Sequence, residues 1–158
     1  DQLLARLRAS CEANGTIVHL TIFSHGYWRG LIMEDEKGFY VDNYGLPDAA
    51  TIDDLLESIE QGSIRFSNAV IRVQACNTGS GGAVNFAQRL AEVTHGTVYG
   101  ATGLSSPEIH AGVETGWFWS SGSPWKKWVD GVEIANPHLN DPYLSAPNSY
   151  GSNKLRCW

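Results

Sequence analysis

The sequence has little cysteine, little positive charge and no long apolar run, and each shortage excludes a class of protein. Its 158 residues include three cysteines, Cys11, Cys76 and Cys157, an odd number at irregular spacing that does not make a disulfide framework. Neither a CxxC pair nor an HExxH motif is present, and the five histidines lack zinc-finger spacing. We therefore predict no metal site.

Charge and hydropathy exclude two further kinds of partner. Eleven Lys and Arg residues stand against seventeen Asp and Glu residues, which gives a formal net charge of −6. Because phosphates require a basic face and the apolar runs are too short to span a bilayer, we predict neither a nucleic-acid nor a membrane partner. Residues 1–15 are amphipathic and show no signal peptide. Since the chain starts with Asp, we expect it to be part of a larger polypeptide. The sequence does not indicate its compartment.

Apolar patterning alternates between strands and helices over most of the chain. Three β-branched, nearly continuous apolar runs have the composition of strands buried on both faces. These predicted strands are 16–24, 69–75 and 97–101. The predicted helices are 2–13, a segment that Thr51 opens with a relative of the capping box, and the segment after the glycine-rich loop 77–82.

This alternation predicts an α/β fold, with a central, mainly parallel sheet and flanking helices on both faces. Two hairpins are also predicted, one within residues 31–42 and one that joins 114–120 to 125–134. Repeated prolines interrupt the rest. We interpret the whole chain as one domain with a core of about residues 1–134 and an irregular extension over 135–158.

Two reactive side chains follow the first two predicted strands. His25 comes directly after the first strand, and Cys76 closes the second. In a parallel sheet, functional groups collect beyond the carboxyl ends of the strands, so we expect the imidazole and the thiol to face one crevice. The loop after Cys76 leads into a helix, whose unpaired N–H groups are expected to favour a thiolate. His95 precedes a strand instead, and is expected at the opposite edge as a helix C-cap.

The blocks SHG at 24–26 and QAC at 74–76 resemble the His and Cys blocks of caspases and their caspase-like relatives. The separation of His25 and Cys76 (76 − 25 = 51) agrees with the spacing in that family. The resemblance covers residues 16–103. It implies a caspase-like three-layer sandwich and a cysteine endopeptidase that acts on protein or peptide substrates without a cofactor. The short domain is most similar to bacterial caspase-like peptidases, which implies a toxin, effector or self-processing unit.

The resemblance also implies residue roles. Cys76 would be the nucleophile and His25 its acid–base partner, with the N–H groups of Gly26 and Cys76 as oxyanion donors. Gln74 would lie near the pocket for the substrate residue that precedes the cleaved bond. The sequence departs from the caspase pattern after the cysteine, because two residues instead of one separate Cys76 from Gly79.

Substrate preference departs from that of caspases. Caspases that cut after Asp use arginines in this pocket, and the comparable region 116–125 contains none. We therefore expect no Asp specificity. Relatives that cut after Lys or Arg use acidic groups, for which Glu108 and Glu114 are the candidates. Trp119 belongs to an aromatic cluster that either covers a sheet edge or holds apolar substrate side chains.

Two other functions fit the same residues. A cysteine amidase or acyltransferase would keep His25 and Cys76 and change the acyl group. A non-catalytic carbohydrate- or protein-binding module would use the aromatic cluster around Trp119, with His25 and Cys76 as structural residues. A serine hydrolase is not predicted, because Thr78 stands where a nucleophile elbow around Ser80 requires glycine.

Overall fold

A computed structural model gives the fold, and it describes residues 2–32, 38–42, 49–81, 84–110, 113–120, 125–135 and 154–156. The helices are α1 (Gln2–Asn14), α2 (Ile52–Glu60) and α3 (Phe86–Thr94). The strands are β1 (Ile17–Phe23), β2 (His25–Tyr27), β3 (Gly30–Ile32), β4 (Gly38–Tyr40), β5 (Ala50–Thr51), β6 (Phe66–Gln74), β7 (Thr97–Ala101), β8 (Ser105–His110), β9 (Val113–Ser120), β10 (Trp125–Val129), β11 (Val132–Glu133) and β12 (Lys154–Arg156). In these ranges, no helix has the length and apolar character needed to cross a membrane.

A six-stranded sheet forms the centre of the molecule, in the order β11-β10-β7-β6-β1-β12. The neighbours β12, β1, β6 and β7 pair in parallel, and β10 and β11 continue the sheet in antiparallel pairing. A second sheet has the order β2-β3-β4-β5, and β8 pairs with β9 alone. The predicted α/β class and the parallel pairing of the three predicted strands are confirmed.

The described helices bury their apolar stripes and are linked by polar side-chain contacts. The apolar residues predicted for α1, namely Leu3, Leu4, Leu7 and Cys11, are all buried. Arg8 in α1 donates to Ser58 in α2 at 2.9 Å, and Arg89 in α3 pairs with Asp53 in α2 at 3.2 Å. Burial of one face of each helix, more than intrinsic helix propensity, stabilises helices this short.

Both helix ends predicted from capping residues are present. The Thr51 side chain accepts from the N–H of Asp54, and the Asp54 carboxylate accepts from the N–H of Thr51 at 2.6 Å, which completes a capping box. His95 is the C-cap of α3 in the left-handed conformation, with φ of 50°. Its Nδ1 lies 2.6 Å from Asp130 Oδ1. The predicted capping role of His95 is thus confirmed.

The predicted hairpin between 114–120 and 125–134 is wrong. β9 pairs with the preceding strand β8, whereas β10 pairs antiparallel with β7 in the central sheet. Trp128 explains the difference, because its side chain is fully buried beside Val98 when β10 extends this sheet. The hairpin prediction considered only that the two strands are close in sequence. Burial of the Trp128 side chain contributes more free energy than a local turn. In addition, part of the extension expected to be irregular forms β12 against β1.

Removal of the Trp128 side chain is expected to cost most of the stability of a small domain. Trp128→Ala should lower the free energy of unfolding by about 3–5 kcal/mol, because a large side chain leaves the core and a cavity remains. The neighbouring Val129 is partly exposed, and Val129→Ala should cost less than about 1 kcal/mol. Urea denaturation followed by circular dichroism measures both. Equal losses for the two variants would contradict the placement of β10.

Candidate active site

His25 and Cys76 reach the same edge of the central sheet because of the register between β1 and β6. Phe23 pairs with Gln74 at the ends of these parallel strands. His25 lies two residues beyond Phe23, and Cys76 lies two residues beyond Gln74. The N–H of Ser24 continues the ladder by donating to the Gln74 carbonyl at 3.4 Å. The expected meeting of the two segments beyond the carboxyl ends of their strands is present.

A close approach at Gly26 brings the two segments into contact. A Cβ at this position would lie 2.8 Å from the Ala75 Cβ, 3.0 Å from the Thr78 Cγ2 and 3.2 Å from the Cys76 carbonyl oxygen. Real Cβ atoms do not come this close to other carbon atoms without displacement. The residue after His25 must therefore be glycine for β2 to lie against the Cys76 segment.

The two thiols of the described chain have different surroundings. Neither Cys11 nor Cys76 is in a disulfide. Cys11 is buried in α1, where it accepts from the N–H of Arg65 at 3.2 Å and donates to the Arg65 carbonyl at 3.6 Å. Cys76 is partly accessible, and His25 is exposed on β2. Of these two thiols, only Cys76 combines access to solvent with a nearby imidazole segment.

The loop after Cys76 is held against the end of β7. The N–H of Asn77 donates to the Gly103 carbonyl at 2.9 Å, and the N–H of Gly79 donates to the Ala101 carbonyl at 2.8 Å. Thr78 is fully buried between these contacts, and its hydroxyl donates to the Ala75 carbonyl at 3.2 Å. The backbone around the thiol is therefore fixed by the sheet.

The prediction that unpaired N–H groups at the N-terminus of α3 stabilise a thiolate at Cys76 is wrong. The helix starts at Phe86, and its first N–H groups already have partners in the protein. Phe86 donates to the Trp28 carbonyl at 2.8 Å, Ala87 to the Thr78 carbonyl at 3.1 Å, and Gln88 to the Asn85 side chain at 2.9 Å. The glycine-rich loop serves to fold back over β7, since a Cβ at Gly79 would lie 2.6 Å from the Gly100 carbonyl oxygen.

The other predicted site residues are only partly located. Gln74 is buried at the end of β6, directly before the Ala75-Cys76 segment. The backbones of Glu108 and Glu114 belong to β8 and β9, and that of Trp119 to β9. Their side chains lie outside the described part of the structure, so their predicted contacts with substrate stay predictions. Ser80 donates its hydroxyl to the Asn77 carbonyl at 2.8 Å, a local turn contact.

Sequence reasoning gave no role to apolar residues near His25 and Cys76. Trp28 follows the His-Gly dipeptide in the turn after β2, and Leu104 lies beside Gly103, the partner of Asn77. Both side chains are exposed. The sequence offered one signal for such a residue, the large apolar side chain in the turn after SHG. The exposure of that side chain in the structure is what makes it a candidate for ligand contact. Among the described residues, no group of three His, Cys, Asp or Glu side chains is placed to hold a metal ion.

The fold and this edge define an α/β domain in which a His-Gly segment and an Ala-Cys segment meet beyond two parallel strands. The chain belongs to a domain family of unknown function, DUF8616, whose model matches residues 3–125. This range includes both His25 and Cys76. No curated protein and no solved structure matches the chain.

The contact between Gly26 and Ala75 is testable by a double-mutant cycle. Gly26→Ala should destabilise the protein by about 1–3 kcal/mol, because the new methyl group overlaps the Ala75 Cβ. In the background Ala75→Gly the same substitution should cost less, since one of the overlapping atoms is gone. Urea denaturation of the four proteins gives the coupling energy. A cost of Gly26→Ala that is the same in both backgrounds would contradict the close approach.

Proposed function

We propose that the domain is a cysteine endopeptidase with a caspase-like fold, in which Cys76 is the nucleophile and His25 the acid–base residue. The observation that carries the proposal is the register of β1 and β6, which brings the His25-Gly26 and Ala75-Cys76 segments to one sheet edge. The resemblance of these two blocks to the caspase blocks adds the reaction type. The family match itself supplies no function.

The reaction would proceed by acyl transfer. The Cys76 Sγ attacks the carbonyl carbon of the scissile peptide bond while His25 takes up the thiol proton. Collapse of the tetrahedral intermediate breaks the C–N bond, and His25 gives that proton to the leaving amine. Water then attacks the thioester with His25 as base, which releases the carboxylic acid and restores the thiol. The cycle needs no metal and no organic cofactor.

The oxyanion of the intermediate needs backbone donors, and the N–H of Gly26 would be the first of them. β2 and β3 are joined by a two-residue turn, so Tyr27 and Gly30 form the hydrogen-bonded pair next to it. Gly26 and Leu31 form the following, non-hydrogen-bonded pair, which directs the Gly26 N–H away from β3. This direction leaves the N–H to a partner outside the hairpin, which in the proposed reaction would be the oxyanion. The N–H of Cys76 would be the second donor.

The remaining parts of the proposal rest on the resemblance alone. They are a pocket for the residue before the cleaved bond near Gln74, with Glu108, Glu114 and Trp119 as candidate lining residues. They also include the three-layer caspase-like sandwich and a place in a larger toxin, effector or self-processing polypeptide. In that setting the substrate is a protein or peptide.

A proteome-derived peptide digest, analysed by mass spectrometry, tests the proposal directly. We expect cuts with the wild type that fall at least about a thousandfold in rate in Cys76→Ala and in His25→Ala, because the two groups act as one unit. His95→Asn is the matched control for histidine removal. It leaves the candidate site alone, and asparagine tolerates the left-handed conformation of this C-cap. Equal cutting by Cys76→Ala and wild type, or no cutting by freshly reduced wild type, would refute the proposal.

Alkylation of the thiols tests the site without requiring a substrate. With iodoacetamide at neutral pH, Cys76 should be modified well before Cys11, because Cys11 is about 1% exposed. His25→Ala should slow the modification of Cys76 and leave Cys11 unchanged, whereas His95→Asn should change neither. Peptide mapping by mass spectrometry assigns each modified residue. A Cys76 rate that is insensitive to His25 would remove the functional link between the two.

A further inference from the structure

Large apolar side chains are exposed around the candidate site. Of the eight large hydrophobic residues that are exposed in the described chain, four lie on the segments that frame His25 and Cys76. We call these four residues the apolar rim, and they are Trp28, Ile32, Val84 and Leu104. Three of the other four lie on or next to the β10–β11 hairpin, at the far end of the sheet order from β1.

Two members of the rim lie on the β2–β3 hairpin beside His25. Ile32 is the direct cross-strand partner of His25, so the two side chains extend from the same face of the hairpin. Trp28 occupies the turn and packs on the loop after Cys76, since a Cβ at Gly81 would lie 3.0 Å from the Trp28 Cβ and 3.2 Å from its Cγ. The indole therefore touches the loop that carries the thiol and still presents 41% of the residue to solvent.

The other two members lie on segments that are hydrogen-bonded to the loop after Cys76 or to the Trp28 turn. Leu104 follows Gly103, whose carbonyl accepts the hydrogen bond from Asn77, the residue after Cys76. Val84 lies two residues before Phe86, whose N–H donates to the Trp28 carbonyl. Hydrogen bonds at both places hold the backbone next to these side chains. The rim thus groups four exposed apolar side chains on segments that packing or hydrogen bonds connect to the His25 hairpin and to the loop after Cys76.

The described charge in the β2–β3 turn is paired. Arg29 is the charged residue in the β2–β3 turn, and its guanidinium pairs with both carboxylate oxygens of Asp42. The same group lies 5.1 Å from the centre of the Trp28 ring. An Arg held this way by a carboxylate and an indole has little left to attract an acidic substrate.

From this arrangement we propose that the site accepts peptide segments with uncharged aliphatic or aromatic side chains on either side of the reacting bond. The proposal rests on the proposed peptidase function for its chemistry, but the binding preference itself belongs to the rim. An apolar ligand that covers exposed apolar side chains near Cys76 removes their surface from water, and this burial favours binding. The rim favours neither an acidic nor a basic residue next to the cleaved bond, and a basic preference would instead require Glu108 or Glu114 to line the pocket.

A peptide array tests binding separately from cleavage. Cys76→Ala is labelled and applied to peptides that vary one position through all residue types, so that no turnover occurs. We expect the strongest binding to peptides with adjacent aromatic or aliphatic residues. Adding Leu104→Ser or Trp28→Ala should weaken this binding roughly tenfold. Adding Val132→Ser is the matched control, because Val132 is 64% exposed and Leu104 63% exposed, and it should change nothing.

The cleavage profile of the wild type separates the two proposals. Cuts flanked by apolar residues, with kcat/KM reduced by Leu104→Ser and not by Val132→Ser, would support both. Apolar binding on the array without any cuts would overturn the peptidase and keep the rim as a peptide-binding surface. Preference for acidic or basic peptides, or no response to Leu104→Ser and Trp28→Ala, would overturn the rim proposal even if the wild type cuts. Circular dichroism establishes that each variant is folded.

Discussion

The parallel pairing of β1 with β6 is the constraint on which the candidate site depends. The strands run in the same direction, and Phe23 pairs with Gln74. The residues that follow each strand therefore leave the sheet at the same edge. The two segments are far apart in sequence and have no local reason to meet. Burial of Leu20, Ile22, Ile71 and Val73 fixes this register, since a slip by one residue would turn these side chains to the other face. The site is thus a by-product of core packing.

Close backbone contacts fix the positions of the two segments relative to each other at this sheet edge. Gly26 lets β2 lie on the segment 75–78, and Gly79 lets the next part of the loop lie on the end of β7. The hydrogen bonds of Asn77 and Gly79 to the residues after and at the end of β7 leave the loop little freedom. A catalytic group that is held on a rigid scaffold loses little entropy when a substrate binds. Gly26 and Gly79 are therefore explained by contacts with protein.

Much of the fold could be predicted from local signals in the sequence. The continuous apolar runs gave the parallel strands, the spacing of leucines gave α1, and Thr51 with Asp54 gave the start of α2. What could not be predicted depends on contacts between distant segments. The strand β2 is three residues long and has no apolar periodicity of its own, and it exists because β3 pairs with it. The partner of β10 was missed because local turn signals do not register the burial of Trp128.

The site was predicted to a similar extent and for the same reason. Strand ends are visible in a sequence, so His25 and Cys76 could be paired in advance. The hydrogen bonds of the first N–H groups of α3 could not be predicted, because their partners Trp28 and Thr78 belong to other segments. This finding changes how a thiolate at Cys76 would have to be stabilised. With the first amides of the helix already bonded, a thiolate at Cys76 would draw on the imidazole of His25 in the proposed mechanism. The position of His25 depends on β2, and β2 depends on the contact at Gly26. The absent side chain of Gly26 and the chemistry proposed for the thiol are therefore parts of one arrangement.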